Sequence, residues 1–379
     1  MTVRTAAETF PPGEFLREEL EARGWTQSDF AEILARPIQL VNEIILGKRA
    51  ITPETAQGFA DALGTSPQVW LNLESAYQLS RLKLEDNSVA RRARLYEKAP
   101  VKEMIRRRWI EQSNNVDVIE QRVMEFYGIS SIEQKPQFWP VAARASSPVR
   151  ETSSAFWAWL FRARYLARAV QVAKFTDARF EQGITRLKAL LPNPEEIRHV
   201  PRILSESGVR FLVLESLSHT HIDGACFWLN PSSPVVVLSL RYDRIDGFWF
   251  TLFHELGHVL HRHGLTEHES VDTNLVGKGA QAFDEKPAFE QLVDRFAVEQ
   301  LVPKRTLDYF IARVKPLYSK TKINDFGRHN GVHPGIVVGQ LQFRKEIPYS
   351  HNREMLVPVK DIITNSALTD GWGNVPIAV

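Results

Sequence analysis

Between Phe248 and Leu260 the chain sets His254, Glu255 and His258 in a His-Glu-x-x-His arrangement inside an otherwise apolar run. Side chains four apart on a helix leave by one face, so the two imidazoles can meet on one cation. Glu255 then lies beside that cation rather than on it. Zinc suits such a pair. Once bound it brings the pKa of water toward neutrality, and a neighbouring carboxylate can take the proton as a carbonyl is attacked. The chemistry is that of amide hydrolysis. The bland reading, two satisfied core histidines, would bury two imidazoles and a carboxylate without partners at a cost on the order of several kcal/mol.

Catalytic zinc takes three protein ligands and keeps a fourth position open. Glu290 is the best third ligand. It lies in Phe289 to Val298, where Phe289, Leu292, Val293, Phe296 and Ala297 make one apolar helix face. Asp294, four residues on, can accept a hydrogen bond from a ligand imidazole and fix its tautomer. Alternatively these acids are solvated helix positions paired with Arg295 or Lys286. His261, His263 and His268 compete as ligands, but His261 and His263 sit just before Gly264, where a helix should end and cations meet its last carbonyls. The metzincin spacing is absent, since His261 and Gly264 hold each other's places.

The segment from Val209 to Arg344 resembles the ImmA/IrrE family of zinc metallopeptidases. The resemblance rests on Asp223 to Trp228, Pro234 to Ser239, the His254 motif, Glu290 to Ala297, and Gly331 to Gln342. It implies zinc on His254, His258 and Glu290 with Glu255 as base, and a regulatory peptidase that cleaves a repressor. Some members of that family work without demonstrated turnover.

The other end carries a second signal. Thr26 to Leu34 reads as a short capped helix, Ala35-Arg36-Pro37 as a turn, and Ile38 to Leu46 as a second helix ended by Gly47. Helices over Glu14 to Arg23, Thr52 to Leu63 and Ser66 to Leu79 complete a five-helix unit. Residues 10 to 80 resemble the lambda-repressor-like (XRE) antitoxins of the HigA type, above all in Ala50 to Ala56 and Leu63 to Glu74. The resemblance implies DNA binding, with Gln39, Asn42 and Glu43 facing base edges and Arg36, Lys48 and Arg49 forming a basic edge. Residues 1–84 hold 8 basic and 11 acidic side chains, a balance of −3, which works against phosphate neutralisation and keeps a protein-binding module in view. A homodimer could present two such edges to a palindromic operator.

Residues 85–190 hold 19 basic and 12 acidic side chains, a balance of +7, concentrated in Arg91 to Arg94 and Arg106 to Arg108. They offer either phosphate contacts or a solvated helical linker whose charges pair locally. Val101 to Trp109, Val116 to Tyr127 and Ala155 to Ala173 have helical apolar spacing, and Phe156, Trp157, Trp159, Phe161 and Tyr165 cluster on the last. Such a cluster is core more often than a ligand cage. Pro136, Pro140 and Ala145 to Pro148 mark a loop.

The expected architecture is multidomain. An all-α helix-turn-helix domain (10–80) precedes a helical linker region (81–200), an α+β zincin-like metallopeptidase domain (201–345) and a C-terminal tail (346–379). Strands are expected at Val209 to Leu214, Cys226 to Leu229 and Val235 to Leu240. At 379 residues there is chain for several cores. One cysteine, Cys226, excludes an intrachain disulfide framework, and no apolar run reaches a membrane-spanning length or forms a signal peptide. A cytoplasmic location and no membrane partner are therefore expected. His221, Tyr242, His329 and His333 are candidate donors to an oxyanion. The expected function is transcriptional control joined to zinc-dependent cleavage of a protein partner, a repressor or toxin-antitoxin component. The alternative is an antitoxin-like regulator whose zinc domain only senses or docks a partner.

Overall fold

The computed structural model describes residues 10–81, 88–138, 153–265, 270–273, 275 and 283–373. His268, Pro140 and Ala145 to Pro148 lie outside the described residues. The chain divides into two compact units, residues 1–90 and 91–379.

The first unit holds α1 (Pro12–Arg23), α2 (Gln27–Ile33), α3 (Ile38–Ile45), α4 (Pro53–Leu63) and α5 (Pro67–Arg81). Local chemistry sets their ends. Thr26 and Asp29 form a capping box: the Asp29 N–H donates to Thr26 Oγ1 at 3.1 Å and the Thr26 N–H to Asp29 Oδ2 at 2.8 Å. Gly24 and Gly64 close α1 and α4 with φ of 67° and 68°. A Cβ at Gly13 would lie 2.3 Å from the Ile44 carbonyl oxygen, so only glycine lets α1 meet α3 backbone to backbone. Leu16, Phe30, Val41, Phe59 and Trp70 fill the core, with the Phe59 ring centroid 5.3 Å from those of both Phe30 and Trp70.

The second unit continues α6 (Ser88–Lys98) from Arg91 on, followed by α7 (Val101–Arg106), α8 (Val116–Tyr127), α9 (Ser154–Ala167), α10 (Asp177–Lys188) and α11 (Val200–Glu206). Strands β1 (Arg210–Leu214), β2 (Ile222–Trp228) and β3 (Pro234–Leu238) lead into α12 (Ile245–Leu260) and β4 (Ser270–Thr273). Then come α13 (Ala288–Leu301), α14 (Lys304–Val314), α15 (Lys320–His329), α16 (Pro334–Phe343), α17 (Lys360–Thr364) and β5 (Leu368–Asp370). The sheet runs β4-β2-β3-β1-β5, with β1 parallel to β3 and β5, and β2 antiparallel to β3 and β4.

Period-two alternation divides these strands between two cores. Phe211, Val213, Trp228, Val236 and Leu238 face the α12 side. Leu212, Leu214, Phe227, Val235 and Val237 face the opposite side, where Met104, Val123, Trp159 and Phe161 cover them. Because both faces are covered, β2 and β3 are buried at every position rather than alternating with solvent.

Two regions differ from the sequence-based division. Residues 91–200, expected as a linker region, fold into the same unit as the sheet, and the stretch expected as a tail supplies α17 and β5. The anchor is Asp370, which accepts from Trp109 Nε1 at 3.0 Å and Arg162 Nε at 2.5 Å. Burial pushes the Asp370 carboxyl above its usual pKa, against the pull of Arg162 and Trp109. Phe156, Trp159 and Phe161 are core, while Tyr165 stays exposed. Within the arginine runs, Arg91 pairs with Asp117 and Glu120, Arg106 with Glu103, and Arg107 donates to the Glu215 and Ser216 carbonyls at 2.8 and 2.9 Å. Helical spacing reveals an apolar face without saying what it covers, which is why the sheet contact was not legible.

Candidate metal centre

Helix α12 is apolar on nearly every side and is buried from Phe248 to Val259 except at Phe250. Gly257 lets α13 approach: a Cβ there would lie 3.0 Å from the Val293 Cβ. That contact brings Glu290, near the start of α13, against the histidines of α12. The nearest donor atoms of His254, His258 and Glu290 all lie within 4.8 Å of one another. His254 Nε2 is 3.1 Å from His258 Nε2 and 3.3 Å from Glu290 Oε2, and His258 Nε2 is 3.7 Å from Glu290 Oε1.

These spacings test the group that the donors would hold. Bonds of ~2.0–2.1 Å at a tetrahedral angle put neighbouring zinc ligands ~3.3 Å apart. Two imidazole nitrogens and one carboxylate at these separations fit such a corner.

The far nitrogens are equally constrained. His254 Nδ1 meets Asp294 Oδ1 at 2.8 Å, and a carboxylate there requires the N–H on Nδ1, leaving Nε2 with its lone pair toward the cluster. Asp294 is itself held by Lys286, whose Nζ donates to Oδ2 at 2.6 Å with both side chains buried. Burial alone would raise the Asp294 pKa. The hydrogen bond and charge of His254, joined by those of Lys286, outweigh it and hold the carboxyl below its usual range. His258 Nδ1 contacts His263 Nδ1 at 2.9 Å, so the second imidazole is oriented by a histidine and the first by a carboxylate.

Glu255 is fully buried. Its carboxylate fills the space beside β2 that Gly224 leaves: a Cβ at Gly224 would stand 2.2 Å from Glu255 Oε1. Three positions thus escaped the sequence reading as parts of the site. In the sequence Gly224 is one position of the Asp223 to Trp228 stretch, Lys286 a partner for solvated acids, and His263 a competing ligand. A glycine opposite the motif glutamate is a signal only once strand and helix are known to touch.

The remaining candidates make contacts of their own or stand in solvent. His333 caps α16, its Nδ1 accepting from the Gly335 N–H at 3.0 Å, and His329 Nδ1 donates to the Asp325 carbonyl at 2.7 Å. His221 is exposed, and the Arg241 guanidinium lies over the Tyr242 ring at 5.1 Å. His261 is the C-cap of α12, ahead of Gly264 with φ 82°.

In the first unit, Arg36, Gln39, Asn42, Lys48 and Arg49 are all exposed on and around α3. Glu43 is half-buried and engaged, accepting from Gln39 Nε2 at 3.1 Å and Arg49 at 3.2 Å. It therefore organises its neighbours.

Comparison with known proteins separates the same two regions. The helix-turn-helix profile matches residues 16–70, and the IrrE N-terminal-like domain profile matches residues 206–321. An uncharacterized HTH-type transcriptional regulator, YddM of Escherichia coli (strain K12), is 34% identical over 69 residues, 18% of this chain and 73% of its own length. The chain belongs to the XRE-type helix-turn-helix family and carries an IrrE/ImmA-like peptidase-family domain. Virulence-associated protein I of Dichelobacter nodosus is 35% identical over 79 residues, 21% of this chain and 73% of its own. Among solved structures, a HigA-family addiction module antidote protein from Coxiella burnetii is 39% identical, covering 19% of this chain and 80% of that one, with a TM-score of 0.19. No helix among the described residues is long and apolar enough to cross a membrane.

Proposed function

We propose that the chain is a transcriptional regulator in which an antitoxin-like DNA-binding domain is joined to a zinc-dependent endopeptidase acting on a protein partner such as a repressor. The observation that carries the peptidase reading is the cluster of His254, His258 and Glu290 with its oriented far side. When bound, zinc would polarise a carbonyl and lower the pKa of water near it. His254, His258 and Glu290 would hold the ion, and Asp294 keeps His254 in the tautomer that can do so. The Glu255 carboxylate, buried against Gly224 of β2, would take up the proton released as the carbonyl is attacked and return it to the departing amine. Strand β4 stands at the sheet edge, where an extended peptide could add by main-chain pairing.

For the first unit, exposed Gln39 and Asn42 on α3 would reach base edges while Arg36, Lys48 and Arg49 meet phosphates. A homodimer would double that surface on an operator. A toxin, or the repressor that is cleaved, would be the protein partner.

Replacing Glu255 by Gln tests the reading. Zinc content should be unchanged and cleavage of the partner abolished. Retained regulation in cells with the Gln variant would favour a domain that docks a partner without cutting it.

A further inference from the structure

A cavity of about 730 Å³ lies between α12, α13, α14 and α16, a size suited to a small ligand or a few peptide atoms beyond one side chain. It adjoins the metal cluster without including its ligands. Asp294, which binds His254, stands in its wall, and so does Phe250, whose ring centroid is 6.1 Å from that of His254.

The wall shows what it would take. Phe250, Val298, Leu301, Leu307, Ile336 and Phe343 give it an apolar lining. Two of its arginines are already engaged. Arg244 grips Asp246 at 3.0 and 2.6 Å and donates to Gln342 at 3.1 Å, and Arg344 donates to Asp308. Both Asp294 oxygens are likewise used, by His254 and Lys286. Gln340 differs. Its Nε2 and Oε1 are both buried and have no hydrogen-bond partner among the described residues, although the side chain lines the cavity. An amide left so costs free energy that a ligand could return.

We propose that this cavity binds an apolar residue of a peptide chain, with a peptide amide pairing its N–H and C=O against Gln340. Arg295, Glu299 and Lys304 also line the cavity but are exposed to solvent, whereas the guanidinium and carboxylate groups at Arg244, Arg344 and Asp294 are satisfied within the protein, so an uncharged ligand is indicated. A peptide supplies donor and acceptor together, matching the carboxamide, and the cavity's place beside the metal centre gives a peptide reason to be there. Binding here does not require turnover, so the inference goes beyond the peptidase reading.

The test measures binding of N-acetyl-phenylalaninamide to the full chain carrying Glu255→Gln, by calorimetry or ligand-observed NMR, with and without zinc. N-acetyl-aspartic acid α-amide, with its side-chain carboxylate free, serves as the charged control. Binding of the apolar probe should survive zinc removal, exceed that of the control, and weaken by about tenfold or more in Gln340→Leu, an uncharged variant of similar size. Val298→Trp, which narrows the cavity, should weaken it further. If Val298→Trp does not fold, Gln340→Leu decides alone. Unchanged binding in Gln340→Leu, equal binding of the control, or binding present only with zinc would overturn the proposal. Since no cleavage is read, a chain that never cuts a peptide can still pass or fail this test.

Discussion

The α3 surface and the candidate metal site are built on opposite physical plans. Gln39, Asn42, Arg36, Lys48 and Arg49 stand in solvent within 14 residues of one another, and among them Glu43 makes only exposed contacts. His254, His258, Glu290, Asp294 and Lys286 are drawn from two helices and a turn, and each is held by another member of the group. Exposed positions far enough apart act nearly independently, whereas a buried hydrogen-bonded cluster couples its members. Loss of one residue should therefore be graded on α3 and near-total in the cluster.

The sharpest break comes from Glu290→Ala. The parent should carry about one zinc per chain and the variant none, read by elemental analysis of protein purified without a histidine tag. Full zinc in the variant would remove Glu290 as a ligand and collapse the contrast at its strongest point. Next in size is Asp294→Ala, which leaves the three ligands in place but frees His254 Nδ1 and strands the Lys286 ammonium. Zinc affinity should fall by about 10–100-fold, measured by competition with a chromophoric chelator. An affinity within twofold of the parent would show that the ligands are oriented by packing alone.

On α3, Gln39→Ala and Asn42→Ala should each weaken specific operator binding by about 1–3 kcal/mol with unchanged zinc content. Lys48→Ala should instead weaken binding to all sequences alike and flatten the salt dependence. Failure to retain any specific DNA fragment at low salt would leave α3 as a protein-binding face, consistent with the acidic balance of residues 1–84.

How much of this could be read from the chain depends on the range of the interactions. Helix ends set by local chemistry were legible: Thr26 with Asp29 starts α2, and Gly64 ends α4. So was the pairing of His254 with His258, because helical geometry alone puts them together. Glu290 and Asp294 were legible as a helix face four residues apart, although 36 residues separate His254 from Glu290. What could not be read was set by contact between elements. Gly224 matters because β2 touches α12, Lys286 because its turn folds back over Asp294, and Asp370 because Trp109 and Arg162 reach it from more than 200 residues away. The arginine runs leave both readings open for the same reason, since Arg107 looks like a phosphate contact until the carbonyls of Glu215 and Ser216 are beside it.

The smallest expected effect sharpens the exposed side of the contrast. The Asp29 carboxylate is held below its usual pKa by the Thr26 backbone N–H and then by the Thr26 hydroxyl. A folded-state value below the unfolded one means that the capping contribution is complete above the unfolded pKa and is lost as pH falls through the folded value. A carboxyl-carbon NMR titration of the full chain should give Asp29 a midpoint below that of an unstructured aspartate, and Thr26→Ser should preserve the depression. Because the group is exposed, unfolding in the Asp29→Asn variant should shift only slightly at neutral pH, and the difference from the parent should vanish in acid. A midpoint at the unstructured value would mean that the box does not persist in solution. The start of α2, and with it the pose of α3, would then owe its position to the burial of Phe30 and Val41 rather than to the cap.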